Sequence, residues 1–137
     1  MFRIVNQRSN EIVEMDAKVL LSIRRRDGAV NDREFLTLKL ERDRVAFFPL
    51  SWTVVHPIDT ASPLYGMTPQ DLRDRQGEFL ILINGFDETF SQNVHTRSSY
   101  KPDEVEWDAK FRSILNIPAD DGNISIDVRK LHEFERL

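Results

Sequence analysis

The stretch EIVEMDAKVLLSI, residues 11–23, constrains the fold more than any other part of the chain. Its odd positions Val13, Met15, Ala17, Val19, Leu21 and Ile23 are all apolar, whereas Glu14, Asp16, Lys18 and Ser22 hold even positions. A period of two sends these sets to opposite faces of an extended chain, so the stretch reads as a half-buried β-strand with a polar outer face. A turn follows at RRDGA, where Asp27-Gly28 supplies hairpin chemistry.

The same alternation recurs downstream. Leu36, Leu38 and Leu40 share a face of EFLTLKLERD, and Phe48, Leu50, Trp52 and Val54 share one of VAFFPLSWTVV. Pro49 donates no ladder hydrogen bond, so that second stretch is expected at an edge or with a bulge. EFLILI (78–83) is nearly all apolar and reads as a deeper strand. NVHTRSSY and EVEWDAKF alternate again, the latter with Val105, Trp107, Ala109 and Phe111 inward, and NISIDVRKL is expected to be a last strand. One helix is predicted, near residues 69–75: Thr68 is a natural N-cap, Pro69 suits the first helical position and Asp71 sits in the first turn. Many short strands and one helix predict an all-β antiparallel sandwich in a single domain over 1–137.

Composition narrows the function classes. At 137 residues, 40% hydrophobic and 31% charged, the chain has the profile of a globular domain able to bury its own core. A net charge of −4 speaks against nucleic-acid binding, and the absence of cysteine excludes thiol chemistry and thiolate metal sites. No stretch approaches the roughly 18 apolar residues of a membrane span, and the N-terminus lacks a signal peptide's apolar run, so the chain as given is expected to be soluble.

Candidate sites are sparse. Asp87 and Glu88 are adjacent carboxylates, but neighbours on a strand point to opposite faces, which favours a solvated strand end over an acid–base pair. His56, His95 and His132 lack metal-ligand spacing, so no metal is expected. Ser91, Ser98 and Ser99 lie near His95 without a nucleophile-elbow motif. Arg24, Arg25 and Arg26 read as a solvated hairpin tip, and the scattered glycines build no phosphate loop. No cofactor follows from these residues.

Two longer blocks go further. FPLSWTVVHPIDTASPLYGMTPQDL (48–72) and GFDETFSQNVHTRSSYKPDEVEWDAKF (85–111) closely resemble the cytoplasmic domain of inward-rectifier potassium channels, the bacterial branch above all. MFRIVNQRSNEIVEMDAKV resembles the segment that follows the pore-lining helix in that family. The resemblance implies an immunoglobulin-like β-sandwich and a homotetramer that extends the ion path on the cytoplasmic side of the cell membrane. It also implies a transmembrane pore domain of the same channel as partner, since no filter-like TVGYG occurs in this chain.

Residue by residue, Glu14 and Glu88 match pore-facing acidic positions of the family. Thr89, Phe90, Ser91, Gln92 and Asn93 match the loop that forms a constriction. Four copies of each glutamate would make carboxylate rings that concentrate K⁺, the permeant ion, and attract Mg²⁺ or polyamine blockers. Phe90 departs from the small residues of the animal channels, and either gates the pore or packs sideways into the sandwich. Arg3 and Arg8 fall where the chain would leave the membrane, facing anionic lipid headgroups. Two rival readings stand beside this one. The first is a free-standing β-sandwich module binding carbohydrate or protein through Trp52, Tyr65 and Trp107. The second is a hydrolase using Asp87, Glu88 and His95.

Overall fold

The computed structural model describes residues 1–6, 11–28, 32–48, 51–116 and 125–137. Its strands are β1 (Phe2–Val5), β2 (Ile12–Arg24), β3 (Arg33–Leu38), β4 (Arg44–Phe47), β5 (Ser51–Val54), β6 (Glu78–Asp87), β7 (Gln92–Tyr100), β8 (Ala109–Phe111), β9 (Leu115–Asn116), β10 (Ser125–Ile126) and β11 (Phe134–Arg136). The helix α1 spans Pro69–Asp74. Every pairing among these strands is antiparallel.

The predicted long strand is the centre of the architecture. β2 pairs along one edge with β6, and along the other with β3 over its second half and β4 over its first. With β7 beyond β6 this makes a five-stranded sheet. Its inner face contributes Ile12, Met15, Ala17, Val19, Leu21, Ile23, Leu38, Val45, Phe79, Ile81 and Ile83 to the core. A second layer, the β1–β5 pair with Trp52 and Val54, closes over that face, and α1 adds Leu72. The all-β sandwich reading therefore holds.

The helix forms where the sequence predicts it. Thr68 Oγ1 accepts from the Asp71 amide at 3.1 Å, and Asp71 Oδ2 accepts from the Thr68 amide at 2.9 Å, a reciprocal capping box. These bonds hold the Asp71 carboxyl below the ordinary aspartate range.

Three sequence expectations change. Val13 does not share a face with Met15, because the register jumps from Val13↔Phe86 to Asp16↔Asn84, which inserts one residue and flips the phase. VAFFPLSWTVV is not one strand: β4 belongs to the large sheet and β5 to the second layer, and Pro49 and Leu50 lie outside the described residues. The last two expected strands are mostly turns. Residues Pro102–Glu104 and Val128–Lys130 form 3₁₀ turns, Asp108 adopts a left-handed φ of 51°, and among the described residues of these stretches β8 and β10 are the parts paired as strands. β8 pairs instead with β11, which periodicity did not reveal.

Candidate functional site

The register jump in β2 sets the geometry of the first candidate. Glu14 occupies the bulge with φ 49°, a left-handed conformation that costs a non-glycine residue about 1 kcal/mol or more. The bulge takes Glu14 out of the alternation and leaves its side chain exposed. Opposite it on β6, Gly85 has room for no side chain: a Cβ there would lie 2.8 Å from Ile12 Cγ2 and 3.0 Å from Met15 Cγ.

Glu88 begins the turn that joins β6 to β7. The strands stay paired out to Asp87↔Gln92, so residues 88–91 make a four-residue hairpin loop closed by Ser91 at φ 48°. Asp87 is wholly buried, and its Oδ1 accepts the Thr89 amide at 2.9 Å and the Phe90 amide at 3.3 Å. It therefore ties the turn from beneath rather than forming a solvated strand end, which corrects that expectation for one member of the pair. Glu88 itself is exposed. Because Ile12 pairs Asp87 and Val13 pairs Phe86, the bulge and the turn stand at the same end of the sheet.

The expected constriction loop is accordingly shorter than residues 89–93. Gln92 and Asn93 are strand residues of β7, and only Thr89, Phe90 and Ser91 lie in the turn. Phe90 is 64% exposed, so its ring is not packed into the sandwich.

Behind this end, one register row crosses four strands on the outer face. Arg44, Asp16, Asn84 and His95 are successive partners. His95 Nδ1 lies 2.5 Å from Asn84 Oδ1, and Asn84 Nδ2 donates to Asp16 Oδ2 at 3.3 Å. Since the Asn84 amide nitrogen is committed to Asp16, its oxygen must accept, so His95 Nδ1 carries the hydrogen. Sequence reasoning missed this chain because only pairing register reveals it. The same face is unusually apolar for an exposed one: Leu20, Leu80, Leu82 and Phe86 are half-buried, while Phe35 and Phe47 are 62% and 67% exposed.

The remaining candidates are dispersed. Arg3 has its guanidinium folded back against carbonyl oxygens of Arg112, Lys130, Leu131 and Glu133 rather than facing outward, and burial lowers its pKa while Glu133 raises it. Arg8 lies outside the described residues. Trp52 is 6% exposed and Trp107 packs against the core, leaving Tyr65 as the exposed aromatic of that proposed trio. With Asp87 buried under its turn and His95 bonded to Asn84, the hydrolase residues do not converge. His56 is held between the Lys39 carbonyl and Ser62 Oγ. Arg25, Arg26 and Arg75 line an open cavity of about 560 Å³ at the other end of β2, interleaved with Asp27, Asp32 and Glu34, so its charges offset. Among the described residues no group of three histidines or carboxylates could hold a metal ion, and no helix is long and apolar enough to cross a membrane.

A family model described as the inward rectifier potassium channel C-terminal domain matches residues 1–137. The inward rectifier potassium channel Kirbac3.1 of Paramagnetospirillum magnetotacticum is 43% identical over 136 residues, covering 97% of this chain and 45% of that protein. The G protein-activated inward rectifier potassium channel 3 of Mus musculus is 32% identical over 143 residues, with 97% and 35% covered. Channel 1 of Bos taurus is 29% identical over 142 residues, with 96% and 27% covered. The chain thus spans less than half the length of these relatives.

Proposed function

The chain belongs to the family of inward-rectifier potassium channel C-terminal domains, and from that premise we propose that four copies surround an axis and prolong the ion path of a membrane pore on its cytoplasmic side, taking part in gating. The observation that supports this reading best is the placement of Glu14 and Glu88, two exposed carboxylates at one end of one sheet, on a bulge and a hairpin turn that lift them clear of the strand alternation. Repeated around an axis, they form two rings of negative charge that raise the local concentration of K⁺ and hold Mg²⁺ or polyamines when these block. Potassium selection belongs to a carbonyl filter in the partner pore domain. The turn 88–91, with Phe90 projecting from it, supplies the narrowest point of the path.

The test is a channel carrying Glu14→Gln with Glu88→Gln, recorded with internal polyamine. Block and inward-going rectification weaken while the assembled domain keeps its fold. Current–voltage curves identical to the parent's would take both residues out of the ion path. In this reading contact with anionic headgroups falls to Arg8, because the Arg3 guanidinium is already bonded within the domain. Arg8→Gln therefore reduces binding to anionic liposomes and Arg3→Gln does not; the reverse order would reassign the contact.

A further inference from the structure

We propose that the C-terminal segment carries a guanidinium-binding cage, filled in cis by Arg3, and that this cage is the latch holding β8 and β11, with the turn Val128–Lys130, onto β1. The recognition is specific in shape. Arg3 Nη1 donates to the Arg112 carbonyl, and Nη2 approaches those of Leu131 at 2.7 Å, Lys130 at 3.0 Å and Glu133 at 3.4 Å. The guanidinium carbon stands 4.4 Å from the centroid of the Phe111 ring. Four carbonyls around the two Nη groups and an aromatic face below suit a planar guanidinium, although its buried Nε finds no partner among the described residues; an ammonium or a bare alkali cation lacks that plane.

The cage exists only when the segment is folded. β8 and β11 pair at Phe111↔Phe134, and the Arg112 amide donates to the Glu133 carbonyl at 3.0 Å. The 3₁₀ turn Val128–Lys130 presents the carbonyls of Lys130 and Leu131 at its C-terminal end, where the Lys130 oxygen also accepts the Glu133 amide at 3.0 Å. Asp127 caps the other end of that turn, accepting the Arg129 amide at 3.1 Å.

β1 pairs with β5, and no ladder joins β1 to β8 or β11 among the described residues. Phe2 and Ile4 point the other way, into the core, where the Phe2 ring meets Tyr100 at 5.5 Å and Phe79 at 6.2 Å. On its outer face β1 meets the segment through the Arg3 side chain. Opening the cage frees the segment and the Arg3 side chain together, which couples the two ends of the chain whatever the parent's activity.

Hydrogen exchange on this chain tests the latch. Arg3→Ala accelerates amide exchange in residues 109–116 and 125–137 by roughly tenfold or more, the scale of losing charge-assisted hydrogen bonds, and leaves β2 and β6 unchanged. Guanidinium chloride, far below denaturing concentrations, restores protection to that segment by refilling the cage; potassium chloride at equal ionic strength does not. Unchanged exchange in 109–116 and 125–137, or equal rescue by potassium, overturns the proposal. Should Arg3→Ala not fold, Phe111→Leu removes the ring beneath the guanidinium and keeps an apolar side chain. It loosens the same segment selectively by a smaller factor, and the absence of selective loosening there overturns the latch equally.

Discussion

Asp87 and Glu88 are chain neighbours with opposite situations, and the difference is a matter of which face each carboxylate meets. The strand period predicts opposite faces for them; in the structure Asp87 ends β6 facing inward, and Glu88 has already left the strand for the exposed turn. What the sequence could not show is that the inward carboxylate is used, because its acceptors' partners are the amides of the turn that follows. Asp87→Ala leaves two part-buried turn amides without their acceptor, so it destabilises the domain by about 1–2 kcal/mol. Glu88→Gln changes an exposed side chain and stays within about 0.5 kcal/mol of the parent. Urea denaturation of both variants measures this; equal losses would mean that Asp87 does not tie the turn. The contrast also separates fold from ion path, since Glu88 is the member whose neutralisation alters current alone in the proposed role.

At the level of elements, legibility followed the regularity of local signals. α1 was readable because its determinants are consecutive: Thr68, Pro69 and Asp71 make the cap within one turn. Thr68→Ala costs about 1 kcal/mol by removing that cap, and Leu72→Ala costs about 3 kcal/mol because the side chain is wholly enclosed. The sign of the pH effect follows from the lowered Asp71 carboxyl. Its contribution is complete above the ordinary aspartate range and is lost as pH falls through the folded-state value below it. Thr68→Ala accordingly flattens the acid limb of a stability-versus-pH curve, and an acid limb parallel to the parent's would remove the capping box from that account.

The bulge in β2 was not readable, because alternation continues in the letters on both sides of Glu14 while the backbone inserts a residue. Its trace lies on another strand, in Gly85, where a methyl group would meet Ile12 and Met15. Gly85→Ala forces those side chains apart and costs roughly 1–3 kcal/mol. Heteronuclear NMR would show its shift changes centred on residues 12–16, and changes confined to β6 and β7 would mean the bulge does not depend on that glycine. The turns at 102–104 and 128–130 escaped for a similar reason: apolar spacing near two persists through Val105 and Trp107, but Pro102 and the left-handed Asp108 break the extension locally.

For the molecule as a whole, the proposed ring must bring together copies that each carry a net charge of −4. Two kinds of contact can do this, and they respond oppositely to salt. If the apolar outer face bearing Leu20, Leu80, Leu82, Phe86 and Phe47 supplies the contact, burial drives assembly and like charge opposes it. Screening over a Debye length of about 10 Å at 0.1 M then helps, so association strengthens as salt rises. If instead ion pairs between outer-face arginines and a neighbour's carboxylates dominate, the same salt weakens it. Light scattering across a wide concentration range, at low and high ionic strength, therefore reads both the stoichiometry and the nature of the contact. The apolar face predicts mass rising toward four copies, further in high salt, and Leu82→Glu shifts that curve to the monomer without loss of fold. Assembly that dissolves in salt and ignores Leu82→Glu would move the contact off this face, and Glu14 and Glu88 would then need a different axis to surround.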